Sequence, residues 1–156
     1  MDHIGGKKRG EINHSAMHLL HRAGQCAGDL FTEEVVNGAL TPRQFAVLLT
    51  ISQEEGLSQT DLVERTGIDR STLADIILRM LKKGLIRRRR TKRDARVYAV
   101  KLTDEGCDAL RAAQPAAFQA DTRLLSALSE TKRADFLESL SAIIGAMTAT
   151  NSEETA

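Results

Sequence analysis

At 156 residues, with 42% hydrophobic and 28% charged side chains, the chain has the size and composition of one globular domain and not of a disordered segment. No run approaches 18 apolar residues, which excludes a membrane-spanning helix, and the basic residues near the N-terminus lack the apolar stretch of a secretory signal. The overall charge is +1, yet residues 82–101 hold ten Lys/Arg against the single acid Asp94, a net +9 that leaves −8 for the remainder. Charge this segregated points to a polyanionic partner. Cys26 and Cys107 are isolated, without a CxxC, and read as structural thiols packed in the core of a protein of the reducing cytoplasm.

Residues 1–10 carry two adjacent glycines and "KKR" with nothing to bury, and read as a mobile basic arm. A long helix is expected over about 11–36, where Ile12, Ala16, Leu19, Ala23, Leu30 and Phe31 recur at helical spacing. Gly38 suits its stop, Thr41 the cap of the next helix and Pro42 its first position, with Phe45, Leu48, Leu49 and Ile51 on the buried face. Ser58 with Asp61 three residues on starts a short third helix that Gly67 ends. Asp69 or Ser71 caps a fourth helix, whose apolar stripe is Leu73, Ile76, Ile77, Met80 and Leu81. Two short helices joined by a glycine-containing turn outline a helix-turn-helix.

After Gly84 the period changes. "LIRRRR" and "RVYAVKL" read as two strands around the turn "TKRDA", with Tyr98, Val100 and Leu102 sharing a face. A hairpin placed there is a wing. Thr103 then caps a long helix with Pro115 as a kink, and Ser129 opens a last helix striped with Phe136, Leu137, Leu140, Ile143, Ile144 and Met147. The expected fold is mainly α with a small β-hairpin wing. It is one domain over about 11–150, with a DNA-binding lobe at 41–102 and long dimerisation helices at 11–36 and 103–150.

Neutralising DNA phosphates with Lys and Arg releases counterions, which is what a basic hairpin beside a helix-turn-helix offers. Strand alternation keeps Arg87 and Arg89 off the face of Arg88 and Arg90. The expected base-reading residues are Ser71 and Thr72 at the start of the fourth helix, with Arg70 and Asp75 close by. Ser58 and Gln59 are expected to meet phosphate, and Arg90, Lys92, Arg93 and Arg96 on the wing to reach the minor groove. The lack of aromatic platforms argues against single-stranded RNA.

"LVERTGIDRSTLADIILRMLKKGLIRRR" followed by "RDARVYAVKLTDEG" resembles the MarR family of bacterial winged helix-turn-helix regulators. The resemblance rests on Gly84-Leu85-Ile86, on Asp94-Ala95-Arg96 at the wing tip and on Leu102-Thr103-Asp104-Glu105-Gly106, and extends over roughly 11–148. Asp75, where many relatives carry a basic residue, and Ala95, at a frequently charged wing position, depart from the pattern. The resemblance implies a homodimer straddling a palindromic operator in double-stranded DNA, acting most often as a repressor. It also implies release by a small aromatic or phenolic acid, and the basic "KKR" at 7–9 raises a variant, an acyl-CoA thioester whose phosphates meet that arm. His14, Met17, His18, His21, Arg22 and Phe45 are the residues this would place around the effector.

Other readings stay open at this point. His14, His18 and His21 fall on one helical face, a spacing that permits a metal but equally a polar dimer seam, and no second cluster closes a tetrahedral site. Cys26, with Arg22 one turn away, permits a peroxide-sensing thiol. A constitutive architectural DNA-binding protein is a further alternative. There is no nucleophile-base pattern, phosphate loop or HExxH, so no enzyme is expected, and neither a cofactor nor a resident metal.

Overall fold

Hydroxyl and carboxylate side chains set the helix starts. In the computed structural model, which describes residues 12–91, 94 and 96–153 with side chains through 149, Ser15, Thr41, Ser58 and Asp69 each cap a helix with a side-chain oxygen. The helices are α1 (Ala16–Glu34), α2 (Pro42–Gln53), α3 (Gln59–Thr66), α4 (Arg70–Lys82), α5 (Asp104–Leu125) and α6 (Glu130–Glu153). The strands β1 (Ile86–Arg90) and β2 (Tyr98–Leu102) form an antiparallel hairpin between α4 and α5. This is the expected winged helix-turn-helix order. None of the described helices is long and apolar enough to cross a membrane.

The first helix starts later than expected. Ile12–His14 form a separate 3₁₀ turn, Ser15 is extended, and its hydroxyl accepts the His18 N–H at 3.3 Å. A serine that satisfies an orphan N–H is a better boundary than a continued helix. At the other end α1 stops at Glu34, and the chain reverses through Asn37 and Gly38, both with positive φ. The basic arm at 1–10 lies outside the described residues.

The chain divides into two units, one ending at Ala120 and one beginning at Asp121. In the first unit the core joins α2, α3, α4, the hairpin and the start of α5, with Val47, Leu48, Leu62, Leu73, Ile77 and Met80 fully enclosed. Burying side chains of this size contributes roughly 1.5–3 kcal/mol each. A second cluster gathers Phe31 of α1 and Val35 just after it with Ala120 of α5, and Phe45 packs against both clusters. Tyr98, Val100 and Leu102 share one face of β2 as expected, with Val100 buried and Tyr98 exposed where the strand has run past the core toward the hairpin tip.

The second unit holds the end of α5 and α6, joined by a turn in which Arg133 Nε donates to the carbonyls of Leu125 and Leu128 at 3.1 and 3.2 Å. Its apolar stripe is uncovered in the single chain: Leu137, Ile143, Ile144 and Met147 are exposed, and Phe136 and Leu140 half-buried. Both thiols correct the expectation of core cysteines. Cys26 and Cys107 are exposed, since the buried positions of α5 are Gly106, Leu110, Ala113 and Ala120, and α1 buries Phe31.

β2 is held along both edges. It pairs with β1 from Ile86↔Leu102 to Arg90↔Tyr98, and on its other side the Val100 N–H donates to the Leu57 carbonyl at 2.8 Å, just before α3. At the hairpin base, Thr103 Oγ1 donates to the Gly84 carbonyl at 2.6 Å and accepts the Gly106 N–H at 3.0 Å, while the Thr103 N–H donates to Leu85. A Cβ on Gly106 would collide with the Leu85 carbonyl, so the first turn of α5 can lie against the hairpin only without a side chain there. Gly106→Ala is expected to cost about 2 kcal/mol, read from the urea midpoint. An unchanged midpoint would mean that this joint is looser than its geometry.

Candidate nucleic-acid interface

The buried stripe of α4 leaves an outer surface made by Arg70, Ser71, Asp75, Leu78, Arg79 and Lys82, all exposed. Asp69 fixes where that surface begins. Its Oδ1 accepts from the Thr72 N–H and the Ser71 hydroxyl, both at 2.9 Å. Ser71 is thereby oriented, and Thr72 is half-buried beside the cap. Asp75 Oδ2 accepts from Arg79 Nε at 2.9 Å, one turn along the same helix.

α3 presents Ser58 and Gln59, both half-buried. The Ser58 hydroxyl is already engaged twice, donating to Asp61 Oδ2 at 2.7 Å and accepting the Asp61 N–H at 3.1 Å. A passing phosphate would therefore meet the Gln59 side chain and the first backbone N–H groups more readily than the Ser58 hydroxyl.

The register of the hairpin sorts the arginines. Arg88 pairs with Val100 and Arg89 with Ala99, so the two point to opposite faces. Arg88 lines a cleft of about 570 Å³ with Ser58, Gln59, Thr60, Arg96 and Tyr98, whereas Arg89 lines a second cleft of about 400 Å³ with Glu55, Arg90 and Lys101. Arg90 also lies over the Tyr98 ring, its guanidinium carbon 5.8 Å from the centroid. The first cleft brings together Ser58, Gln59 and Arg96, which the sequence separates by more than thirty positions. Arg88 is the cation that sequence reasoning left out of the site. Alternation set it apart from Arg87 and Arg89, but only the pairing partner tells which face meets α3.

The wing tip owes its turn to the one acid of the basic segment. Asp94 Oδ1 accepts the Arg96 N–H at 2.9 Å, and its backbone N–H donates to Thr91 Oγ1 at 3.2 Å. Thr91 Oγ1 donates back to the Asp94 carbonyl at 2.7 Å, and the Val97 N–H to the same carbonyl at 3.0 Å. Asp94 thus shapes the turn while the exposed Arg96 side chain is left to the solvent side. Lys92 and Arg93 lie outside the described residues.

The residues considered for an effector do not all come together. Met17, His21 and Arg22 are exposed and His18 half-buried on the first two turns of α1. His14 belongs to the preceding 3₁₀ turn, which corrects the reading of three histidines on one helix face. Phe45 packs on Phe31 with ring centroids 5.5 Å apart, and Phe31 lies fourteen residues beyond Met17, about 21 Å along the helix. Among the described residues, no three His, Cys, Asp or Glu side chains are gathered as for a metal.

Two carboxylates at the helix starts, the Asp69 cap and Asp61 opposite the Ser58 cap, are held in the ionised form. Bonds from Thr72, and then from Ser71, lower the Asp69 pKa from 3.8 to about 2. Bonds from Ser58, hydroxyl before backbone, lower that of Asp61. A carboxyl depressed in the folded state contributes its stability fully above the unfolded pKa and loses it as pH falls through the folded value. For Asp69 that window runs from 3.8 down to about 2. Acidification across it is expected to lower the melting temperature of the parent more than that of Asp69→Asn, whose cap is neutral throughout. Equal acid slopes would contradict an ionised cap.

Comparison with known proteins places this geometry. The sequence profile of the MarR family matches residues 40–98, which run from the start of α2 into β2. The transcriptional regulator HosA of Escherichia coli is 35% identical over 127 residues, covering 81% of this chain and 93% of its own. The transcriptional repressor CouR, solved bound to a 23-mer DNA duplex, superposes with a TM-score of 0.78 at 30% identity, covering 90% of this chain and 99% of its own. Bordetella bronchiseptica BpsR, whose DNA binding is regulated by 6-hydroxynicotinic acid, gives 0.75 at 28% identity, over 81% of this chain and 96% of its own. These relatives are transcriptional regulators and not enzymes. The helix-turn-helix, the basic wing and the extent of the likeness lead to one conclusion: the chain belongs to the MarR family of DNA-binding transcriptional regulators.

Proposed function

We propose that the protein is a homodimeric repressor that binds a palindromic operator in duplex DNA and is released by a small aromatic acid or its CoA thioester. The observation that carries the DNA half is the meeting of Gln59, Arg88 and Arg96 in one cleft. In this reading Ser71 and Thr72 approach base edges, with Arg70 and Asp75 beside them. Ser58, Gln59 and Arg88 follow a phosphate run, and Arg96, with Arg90, Lys92 and Arg93, enters the flanking minor groove. Half-sites lie about 10 bp apart, one turn of DNA. Binding should weaken steeply with salt. Arg88→Ala and Arg96→Ala, each removing one contact per subunit, should each lower the salt slope by about 2 per dimer. A parental slope in both variants would place the contact surface elsewhere.

The dimer half rests on the uncovered stripe of α6. Side chains such as Ile144, 63% exposed in the single chain, are the surface a second copy would cover. Ile144→Asp changes little within one chain but sets a charge into such an interface. It is expected to give monomers in sedimentation and to weaken operator binding in proportion. A dimer that tolerates the aspartate would remove α6 from the interface.

For the effector, the supporting observations are the regulation of BpsR by 6-hydroxynicotinic acid and the group His18, His21 and Arg22 beside the apolar Met17, with His14 just before. These suit an anion on a flat hydrophobic body. Phe45, set against Phe31, would contribute from a separate wall. Benzoate-type acids, and their CoA thioesters if the basic arm takes part, should raise the melting temperature and release operator DNA. Stabilisation and release by zinc alone would replace this effector class with a metal.

A further inference from the structure

The row on α4 opposite Leu73, Ile76, Ile77 and Met80 reads Ser71, Asp75, Leu78, Lys82, at i, i+4, i+7 and i+11, and every member is exposed. Its two central members are not what attraction to a polyanion calls for. One is a carboxylate. The other is an isobutyl group, 49% exposed with no polar atom.

A carboxylate only accepts hydrogen bonds, and in the major groove the only base donors are the exocyclic amino groups of cytosine and adenine. Adenine sets the N7 acceptor next to its amino group, which repels a carboxylate oxygen, whereas cytosine has a C–H there. Asp75 therefore favours cytosine. The Arg79 Nε bond holds the carboxylate in place and offsets its repulsion from phosphates. Leu78 has only apolar surface to offer, and the apolar feature of the groove is the thymine 5-methyl group. Three residues of helix rise, about 4.5 Å, are close to the spacing of neighbouring base pairs, about 3.4 Å.

We propose that Asp75 and Leu78 are specificity determinants of the operator half-site: Asp75 accepts from the N4 amino group of a cytosine, Leu78 packs on the methyl of a thymine in the adjacent pair, and Arg79 is the positioning residue for the carboxylate. This deepens the reading of α4 as the base-reading helix and rests on it.

Selection of sites by the full-length protein from randomised duplexes tests it. The parent is expected to enrich a cytosine beside a thymine in each half-site. Asp75→Asn should move the cytosine position to adenine, whose N6 and N7 an amide can bridge, with a swing on the order of tenfold. Replacing the thymine by deoxyuridine, which lacks the methyl, should weaken the parent roughly three- to fivefold and leave Leu78→Ala unaffected. Arg79→Met should blunt discrimination at the cytosine position while keeping the deoxyuridine effect, a split that a merely structural role would not produce. If Asp75→Asn selects the parental site, the cytosine assignment is overturned while operator binding stands. If deoxyuridine binds the parent equally well, the Leu78 assignment is overturned. A parent that enriches no sequence overturns the operator reading and this one with it.

Discussion

One hydrogen bond outside the hairpin ties the DNA-reading parts into a single body. The Val100 N–H donates to the Leu57 carbonyl at 2.8 Å, so β2 is paired on both edges, with β1 on one side and the approach to α3 on the other. A two-stranded hairpin alone is marginally stable in water. Paired on its second edge, with Ile86 and Val100 in the core, this hairpin is anchored to the helix-turn-helix beside it. The placement of Gln59 in one cleft with Arg88 and Arg96 follows from that pairing. Thr103 extends the same body into α5 by bonding back to Gly84 and Leu85.

The charge segregation then acquires a division of labour. In the proposed function, counterion release by the wing arginines supplies attraction to DNA of any sequence. The outward row of α4 has, between Ser71 and Lys82, an acid and a leucine, groups that do nothing for general attraction and that the proposed reading assigns to discrimination among base edges. The acid inside the basic segment has a third task. Asp94 uses its carboxylate on the Arg96 backbone, which shapes the turn from which that arginine projects.

What the sequence disclosed divides along physical lines. Caps were legible because they are local: Thr41, Ser58 and Asp69 each bond within three residues, and α2, α3 and α4 start where those residues stand. The exception was Ser15, where a cap interrupted a run of helical spacing and moved His14 out of the helix. Features that depend on distant partners were not legible. Which arginine faces α3 depends on strand register, and whether Cys26 and Cys107 are covered depends on which helix face turns inward. Phe45 and Met17 both lie on faces that could wall a crevice, but the packing of Phe45 on Phe31 sets them far apart within one chain.

Native-state hydrogen exchange at the Val100 amide shows whether wing and helix-turn-helix are one cooperative body. The Val100 amide is expected to be protected as strongly as the Ile77 amide in the middle of α4, because both open only when the lobe unfolds. Exchange of Val100 at the rate of the exposed wing tip, with Ile77 still protected, would show that the hairpin opens by itself and is no part of one cooperative body.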